Sequence, residues 1–261
     1  MNGVNIKYEM MLPGRKWLVI APHPDDETIG CGGTILKAMD YGIQINILFL
    51  TDGENGGLGD AEEIRRIRKT EATQIWQEAL GVNIYFIGLK DSAIKSDDDS
   101  VTKLYRYICQ LQPDTILVPH NNEQHVDHRI SNMLLAKALC ISDRKYEIVT
   151  YEVWTTIYPN VVINISDYYS KKVNLIRQYK SQMEYFDYVE LAYLHNRKNS
   201  LVYNYFAEEG KKTLLKERKF RLKKGMDIHE DWYYAEAYQV LSLNNYQKQI
   251  EEYFGRNSEV V

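Results

Sequence analysis

Cysteine is scarce in this chain. Cys31, Cys109 and Cys140 are three in 261 residues, odd in number and widely spaced, which argues against a disulfide framework or a CxxC metal knuckle and for reduced thiols. Long apolar runs are missing too: none approaches the ~20 residues of a membrane-spanning helix. The opening MNGVNIKYEMMLPGRKW carries Glu9 and lacks a continuous apolar stretch before a small-residue cleavage site, so no secretory signal is read and the cytoplasm is the expected compartment. Neither sign of charge dominates. With 32 Lys and Arg against 36 Asp and Glu, the net charge is −4, and its dispersal leaves no electrostatic footprint for nucleic acid or anionic lipid. No Pro-, Gly- or Ser-rich linker, internal repeat or low-complexity segment divides the chain. One domain over 1–261 is therefore expected, with a core at about 14–165 and a C-terminal elaboration at about 166–261.

What is present is an alternation of strands and helices. The apolar run 17–21 stops at Pro22 as a buried parallel strand does, and 28–41 has helical spacing through Ile29, Ile35, Leu36 and Met39 before Gly42. The rhythm continues with strands at 43–50, 83–87 and 115–119 and helices at 61–80, 101–111 and 130–139. This pattern predicts an α/β fold, a Rossmann-like and largely parallel sheet with helices on both faces. Beyond 145 the rhythm changes to strands at 148–154 and 161–165 and a mostly helical stretch from 167 to about 205, forming a C-terminal helical and strand elaboration.

Ligands in such folds sit at the carboxyl ends of the strands, and there the polar residues collect. GCGG after the first strand is no dinucleotide fingerprint, because Ile35 stands where a third glycine is required, and no GxxxxGK[ST] occurs. HPDDE at 23–27 reads as a metal site. His23 and Asp26 suit a divalent ion such as Zn²⁺, Pro24 keeps His23 extended, and Asp25 faces elsewhere, free to take a proton from water. Acidic residues at a helix start also act as caps, which accounts for Asp26 or Glu27 alone but not for the His-Pro-Asp-Asp unit. The second loop, PHNNEQHVDHR, holds His120, His125 and His128, half of the chain's six histidines. One of them completes the ligand triad and another acts beside it, with Asp127 accepting an imidazole N–H to fix the tautomer.

Two other features are read as packing. KKTLLKERKFRLKKG at 211–225 is basic, and is expected to be the solvated face of a helix with Leu214, Leu215, Phe220 and Leu222 turned inward. The 21 tyrosines crowd the second half, where half-buried packing is the commoner use of Tyr.

PHPDDE at 22–27, TDGE at 51–54, RKTE at 68–71, HVDH at 125–128 and YEVW at 151–154 together resemble the LmbE-like (PIG-L) family of zinc-dependent N-acetylglucosaminyl deacetylases, with weaker matches through ISDYYSKKVNLIRQYKSQ and YAEAYQ. The resemblance implies His23, Asp26 and His128 as zinc ligands, with Fe²⁺ the alternative ion. It further implies Asp25 as general base, His125 as an acidic or electrophilic histidine oriented by Asp127, and Arg68, Glu54 and Asp91 as sugar contacts. Where the family has proline inside the second motif, this chain has Val126. The implied activity is hydrolysis of the acetamide of an N-acetylglucosamine-type sugar in a glycoside or conjugate, by a carbon-nitrogen amidohydrolase. The implied partner is a small-molecule amino sugar conjugate, with no nucleic acid and no membrane span, and a homo-oligomer is compatible with it. The competing readings are a non-catalytic carbohydrate-binding protein on the same fold and a metallohydrolase of another bond.

Overall fold

The run before Pro22 does become a strand, and its alternating side chains divide the interior in two. A computed structural model describes residues 6–204, 212, 216, 217, 219, 220, 222–224 and 233–256. A short β1 (Lys7–Glu9) precedes β2 (Lys16–Ala21), which sends Trp17, Val19 and Ala21 into one apolar core and Leu18 and Ile20 into the other. This is the two-residue period of a sheet buried on both faces. Helix α1 (Asp26–Asp40), β3 (Gln44–Thr51), α2 (Ala61–Ala72), β4 (Asn83–Leu89), α3 (Asp98–Leu111), β5 (Thr115–Pro119) and α4 (Val126–Cys140) follow. The chain continues through β6 (Glu147–Tyr151), β7 (Val161–Asn164), α5 (Tyr169–Ile176), α6 (Lys180–Met183), α7 (Tyr188–Asn204), β8 (Ala235–Ser242) and α8 (Leu243–Arg256). Ile35 of α1 and Ile176 of α5 pack in the first core, whereas Leu104 of α3, Leu134 of α4 and Tyr246 of α8 pack in the second.

Among the described residues all eight strands form one sheet, ordered β1-β7-β8-β6-β5-β2-β3-β4. The pairs β2 with β3 and β5, β3 with β4, β5 with β6, and β1 with β7 are parallel. Only β8 runs antiparallel to its neighbours, β6 and β7. The expected α/β sheet with helices on both faces is therefore present, and β8, from the stretch read as a C-terminal elaboration, lies inside it between β6 and β7. β7 joins β6 only through β8, so the C-terminal strand is a load-carrying member of the sheet and not an appendage.

Several expected elements differ in extent. The helix read at 61–80 is α2 followed by a π-helical stretch, Thr73–Glu78, and the strand read to 154 ends at Tyr151. In the basic segment, Phe220 stacks on Tyr41 at 4.3 Å between ring centroids, but Leu222 is 65% exposed, so it does not turn inward as expected. Leu214 and Leu215 lie outside the described residues.

One long-range contact bears on the site. Helix α1 is kinked at Cys31, whose φ of −139° and ψ of 15° break the ladder. The N–H groups of Gly33 and Thr34 just beyond donate at 3.0 and 2.8 Å to the Glu236 carboxylate of β8. That carboxylate also receives the Lys172 ammonium at 2.7 Å and the Tyr238 hydroxyl at 2.8 Å, all fully enclosed. A buried pair of charges with every lone pair engaged ties α1 just beyond its kink to β8.

Candidate metal centre and active site

The loop after β2 is pinned before it turns. The N–H and the hydroxyl of Thr51, at the end of β3, donate to the Pro22 carbonyl at 3.0 and 2.9 Å. His23 N–H then donates to Asp26 Oδ2 at 2.9 Å, closing a tight turn that brings the two side chains together. Asp26 Oδ2 lies 3.2 Å from His23 Nδ1 and 3.2 Å from His128 Nε2, the latter carried on the first turn of α4. His128 is fully buried, yet neither of its ring nitrogens has a hydrogen-bond partner among the described residues. A buried imidazole that touches a carboxylate oxygen without an aligned hydrogen bond is better satisfied with a cation between them. Two imidazole nitrogens meeting one carboxylate oxygen are donors of the types that suit a small divalent ion, and His23 and His128 also lie in one candidate cluster with His125.

Electrostatics agree with that fit. Burial alone disfavours the positive form of His23, but its hydrogen bonds to Asp127, Asp26 and Asp91 outweigh burial and favour positive charge at this point. Nε2 of His23 sits 3.1 Å from Asp127 Oδ2 and 3.1 Å from Asp91 Oδ1. Both carboxylates are held in turn. Asp127 accepts the N–H groups of Ser92 at 2.7 Å and Ile94 at 3.1 Å, and Asp91 accepts that of Asn55 at 2.9 Å. A carboxylate on the far nitrogen of a ligating histidine sets its tautomer and raises its basicity. Asp127 thus orients His23. The expectation that it orients His125 is corrected: the Asp127 backbone N–H donates to His125 Nδ1 at 3.2 Å, while its carboxylate faces the other way.

Asp25 occupies the position between His23 and Asp26 in the first loop. Its φ of 130° lies where non-glycine residues are rarely found, and such strain persists only when the surroundings over-determine it. They do so here: the Asp25 N–H donates to Glu27 Oε2 at 3.1 Å, and its carbonyl accepts the N–H groups of Thr28 and Ile29. The carboxylate accepts from Arg68 Nη2 at 3.1 Å. Burial pushes the Asp25 carboxyl up to about 8 against the pull of Arg68, with Asp26 and Glu27 adding to the rise.

Arg68, on α2, is buried and also donates to the carbonyls of Pro24 at 2.7 Å and Gly53 at 3.2 Å. Gly53, with φ of +73°, and Gly56 lie against this guanidinium so closely that a Cβ at either would strike it. The TDGENGG stretch is therefore the bed on which Arg68 rests. Neither nearby carboxylate of α2 engages Arg68, since Glu63 pairs with Arg66 and Glu71 binds Ser181.

A cavity of about 130 Å³ opens over these groups, lined by His23, Asp25, Asp26, Arg68, Asp91 and His125 among others. His125, the N-cap of α4, stands edge-on to His23 with centroids 4.7 Å apart, and burial together with the neighbouring imidazoles lowers its pKa. Val126 is 39% exposed at the first position of the helix, so the turn forms without proline. One expected sugar contact, and the remaining histidine of the second loop, fall elsewhere. Glu54 does not line the cavity; its carboxylate accepts the Asp91 N–H at 3.0 Å and supports that loop from behind. His120 turns toward β8, where Nε2 meets Gln239 at 3.3 Å.

Sequence reasoning missed four contributors. Glu27 accepts from Thr28, Trp76 and Tyr179 at 2.6 to 2.7 Å, Glu123 accepts the N–H groups of Val153, Trp154 and Thr155, and Trp154 and Tyr188 wall the cavity. Three of them, Glu27, Glu123 and Trp154, lie inside quoted stretches, which is the signal that could have found them.

Residues 18–139 match the family described as PIG-L, GlcNAc-PI de-N-acetylase. A diacetylchitobiose deacetylase of Thermococcus kodakarensis is 30% identical over 188 residues, 64% of this chain and 70% of that protein. A probable N-acetyl-alpha-D-glucosaminyl L-malate deacetylase of Bacillus cereus is 28% identical over 187 residues, 65% of this chain and 84% of that protein. Among solved structures, N,N'-diacetylchitobiose deacetylase from Pyrococcus horikoshii superimposes with a TM-score of 0.67 at 24% identity, covering 89% of this chain and 86% of the other, which establishes a common fold. With the His-Pro-Asp-Asp loop and the His-x-Asp-His loop meeting at the strand ends of that fold, the chain belongs to the PIG-L (LmbE-like) family.

Proposed function

We propose that this protein is a zinc-dependent N-deacetylase that hydrolyses the acetamide of an N-acetylglucosamine-type sugar in a glycoside or conjugate, giving acetate and a free amino sugar. The observation that carries it is the meeting of His23 Nδ1 and His128 Nε2 at Asp26 Oδ2 beside a strained Asp25 whose carboxylate is turned to Arg68 and the cavity. The named substrates of the relatives, diacetylchitobiose and a glucosaminyl malate, support the sugar class. His23, Asp26 and His128 would hold the ion, Zn²⁺ or in its place Fe²⁺, which supplies Lewis acidity toward an amide carbonyl and toward water.

The chain's own residues do the rest. Asp25, raised toward neutrality by burial, takes a proton from water as its oxygen attacks the amide carbon. Arg68 keeps that carboxylate aimed into the cavity and presents its remaining N–H groups to a sugar hydroxyl. His125 donates to the oxyanion that forms, and either it or the newly protonated Asp25 returns a proton to the leaving amine. Asp91 borders the sugar in this reading, whereas Asp127 acts through His23.

No helix among the described residues is long and apolar enough to cross a membrane, and the three thiols are unpaired. The unpaired thiols support a cytoplasmic setting. The assay is release of acetate and primary amine from N-acetylglucosaminides by zinc-loaded protein. Equimolar release is expected, and metal-loaded protein that binds sugar without releasing acetate overturns the proposal.

A further inference from the structure

The cavity over Asp25 and His125, at about 130 Å³, is smaller than the ~300 Å³ at which small-molecule sites begin, so it takes the acetamide and one face of a ring but no more. A second cavity of about 320 Å³ adjoins it and shares Gly56 in its wall. The partition between them is thin. Gln182 lines the first cavity and donates to the Gly56 carbonyl at 2.8 Å, while Ser181 and Tyr185 on either side of it line the second. The floor of the second is apolar, formed by Ile64 and Ile67 of α2, and its rim carries Leu58 at 88% and Tyr185 at 52% exposure. The Leu58 N–H donates to the Tyr185 hydroxyl at 3.0 Å, which turns the tyrosine ring into a fixed wall. Its charged residues are Lys180, Glu71 and Glu184, one cation against two carboxylates, and Glu71 is occupied by Ser181. In the first cavity the guanidinium of Arg68 is already engaged by Asp25 and two carbonyls.

We infer that the second cavity is the subsite for the group attached to the deacetylated sugar, and that this group is a neutral ring with an apolar face, a second pyranose, and not an anion. This rests on the deacetylase reading above. An isoleucine floor and a tyrosine wall offer flat apolar surface to the C–H face of a sugar. An anionic substituent would lose its hydration beside two carboxylates with one ammonium to offset them.

The test compares kcat/KM for N,N'-diacetylchitobiose, N-acetylglucosaminyl malate and methyl N-acetylglucosaminide in the zinc-loaded wild type, Ile67→Trp, which fills the cavity, and Leu58→Ala, which trims its exposed rim. The wild type is expected to favour the disaccharide over both others. Either substitution should lower the disaccharide-to-methyl-glycoside ratio, Ile67→Trp by about tenfold, the scale of a mismatched apolar pocket. An active wild type that prefers the malate conjugate, or ratios unmoved by both substitutions, overturns this subsite and leaves the deacetylase reading standing. A zinc-loaded wild type inert on all three overturns both.

Discussion

At the scale of single residues, the account depends on a division of labour between neighbouring aspartates. Asp26 is bracketed by two imidazoles, whereas Asp25, at φ of 130°, is turned to Arg68 and the cavity. Asp25→Asn keeps the size and the strained turn but removes the proton acceptor. Turnover should fall by about 10²–10⁴-fold while the protein still binds one equivalent of zinc, measured by steady-state kinetics beside metal analysis. Wild-type turnover in this variant would refute the base assignment. These two roles were legible in the sequence, because His-Pro-Asp-Asp at a strand end has few other uses. The role of Glu27 was not. Its type and place suit a helix cap, and only the fold shows Trp76 and Tyr179, 49 and 152 residues away, meeting on its carboxylate.

Among the elements, the decisive one was the least legible. β8 reads AEAYQVLS, where small Ala235 and Ala237 and a buried Glu236 replace the β-branched residues that mark a strand, so its alternation is weak. Tertiary contact settles it: the strand fills the gap between β6 and β7 and brings Glu236 to the kink of α1. The strands β2, β3 and β5 were legible because their buried runs end abruptly at polar loops. Glu236→Gln preserves shape but leaves the Lys172 ammonium enclosed without a counter-charge, since both side chains are 1% exposed or less. Breaking such a pair costs about 3–5 kcal/mol, to be seen as a lowered urea midpoint. A midpoint equal to that of the wild type would show that Glu236 does not hold α1 in place.

For the whole molecule, pH and metal binding report on how the two loops are assembled. His120, drawn toward β8 and not toward the ligands, is held by burial at a pKa of about 4, down from 6.5, despite its hydrogen bond to Gln239. Above about pH 6.5 it is neutral in both folded and unfolded chains. As pH falls toward 4 the unfolded chain takes up a proton that the folded chain refuses, so stability declines across that window. His120→Gln removes this uptake, and its unfolding midpoint should fall less steeply than that of the wild type between about pH 6.5 and 4.5. Equal slopes would place the acid sensitivity elsewhere. The central claim, that segments about a hundred residues apart close on one cation, has a more direct test. Two other sets that share His23, one with His125 and His128 and one with Asp91 and Asp127, also bring their ligand atoms close enough to offer rival sites. An anomalous difference map from zinc-soaked crystals distinguishes them. The account predicts one peak bonded to His23 Nδ1, Asp26 and His128 Nε2, and a peak on Asp91 and Asp127, or none at all, would contradict it.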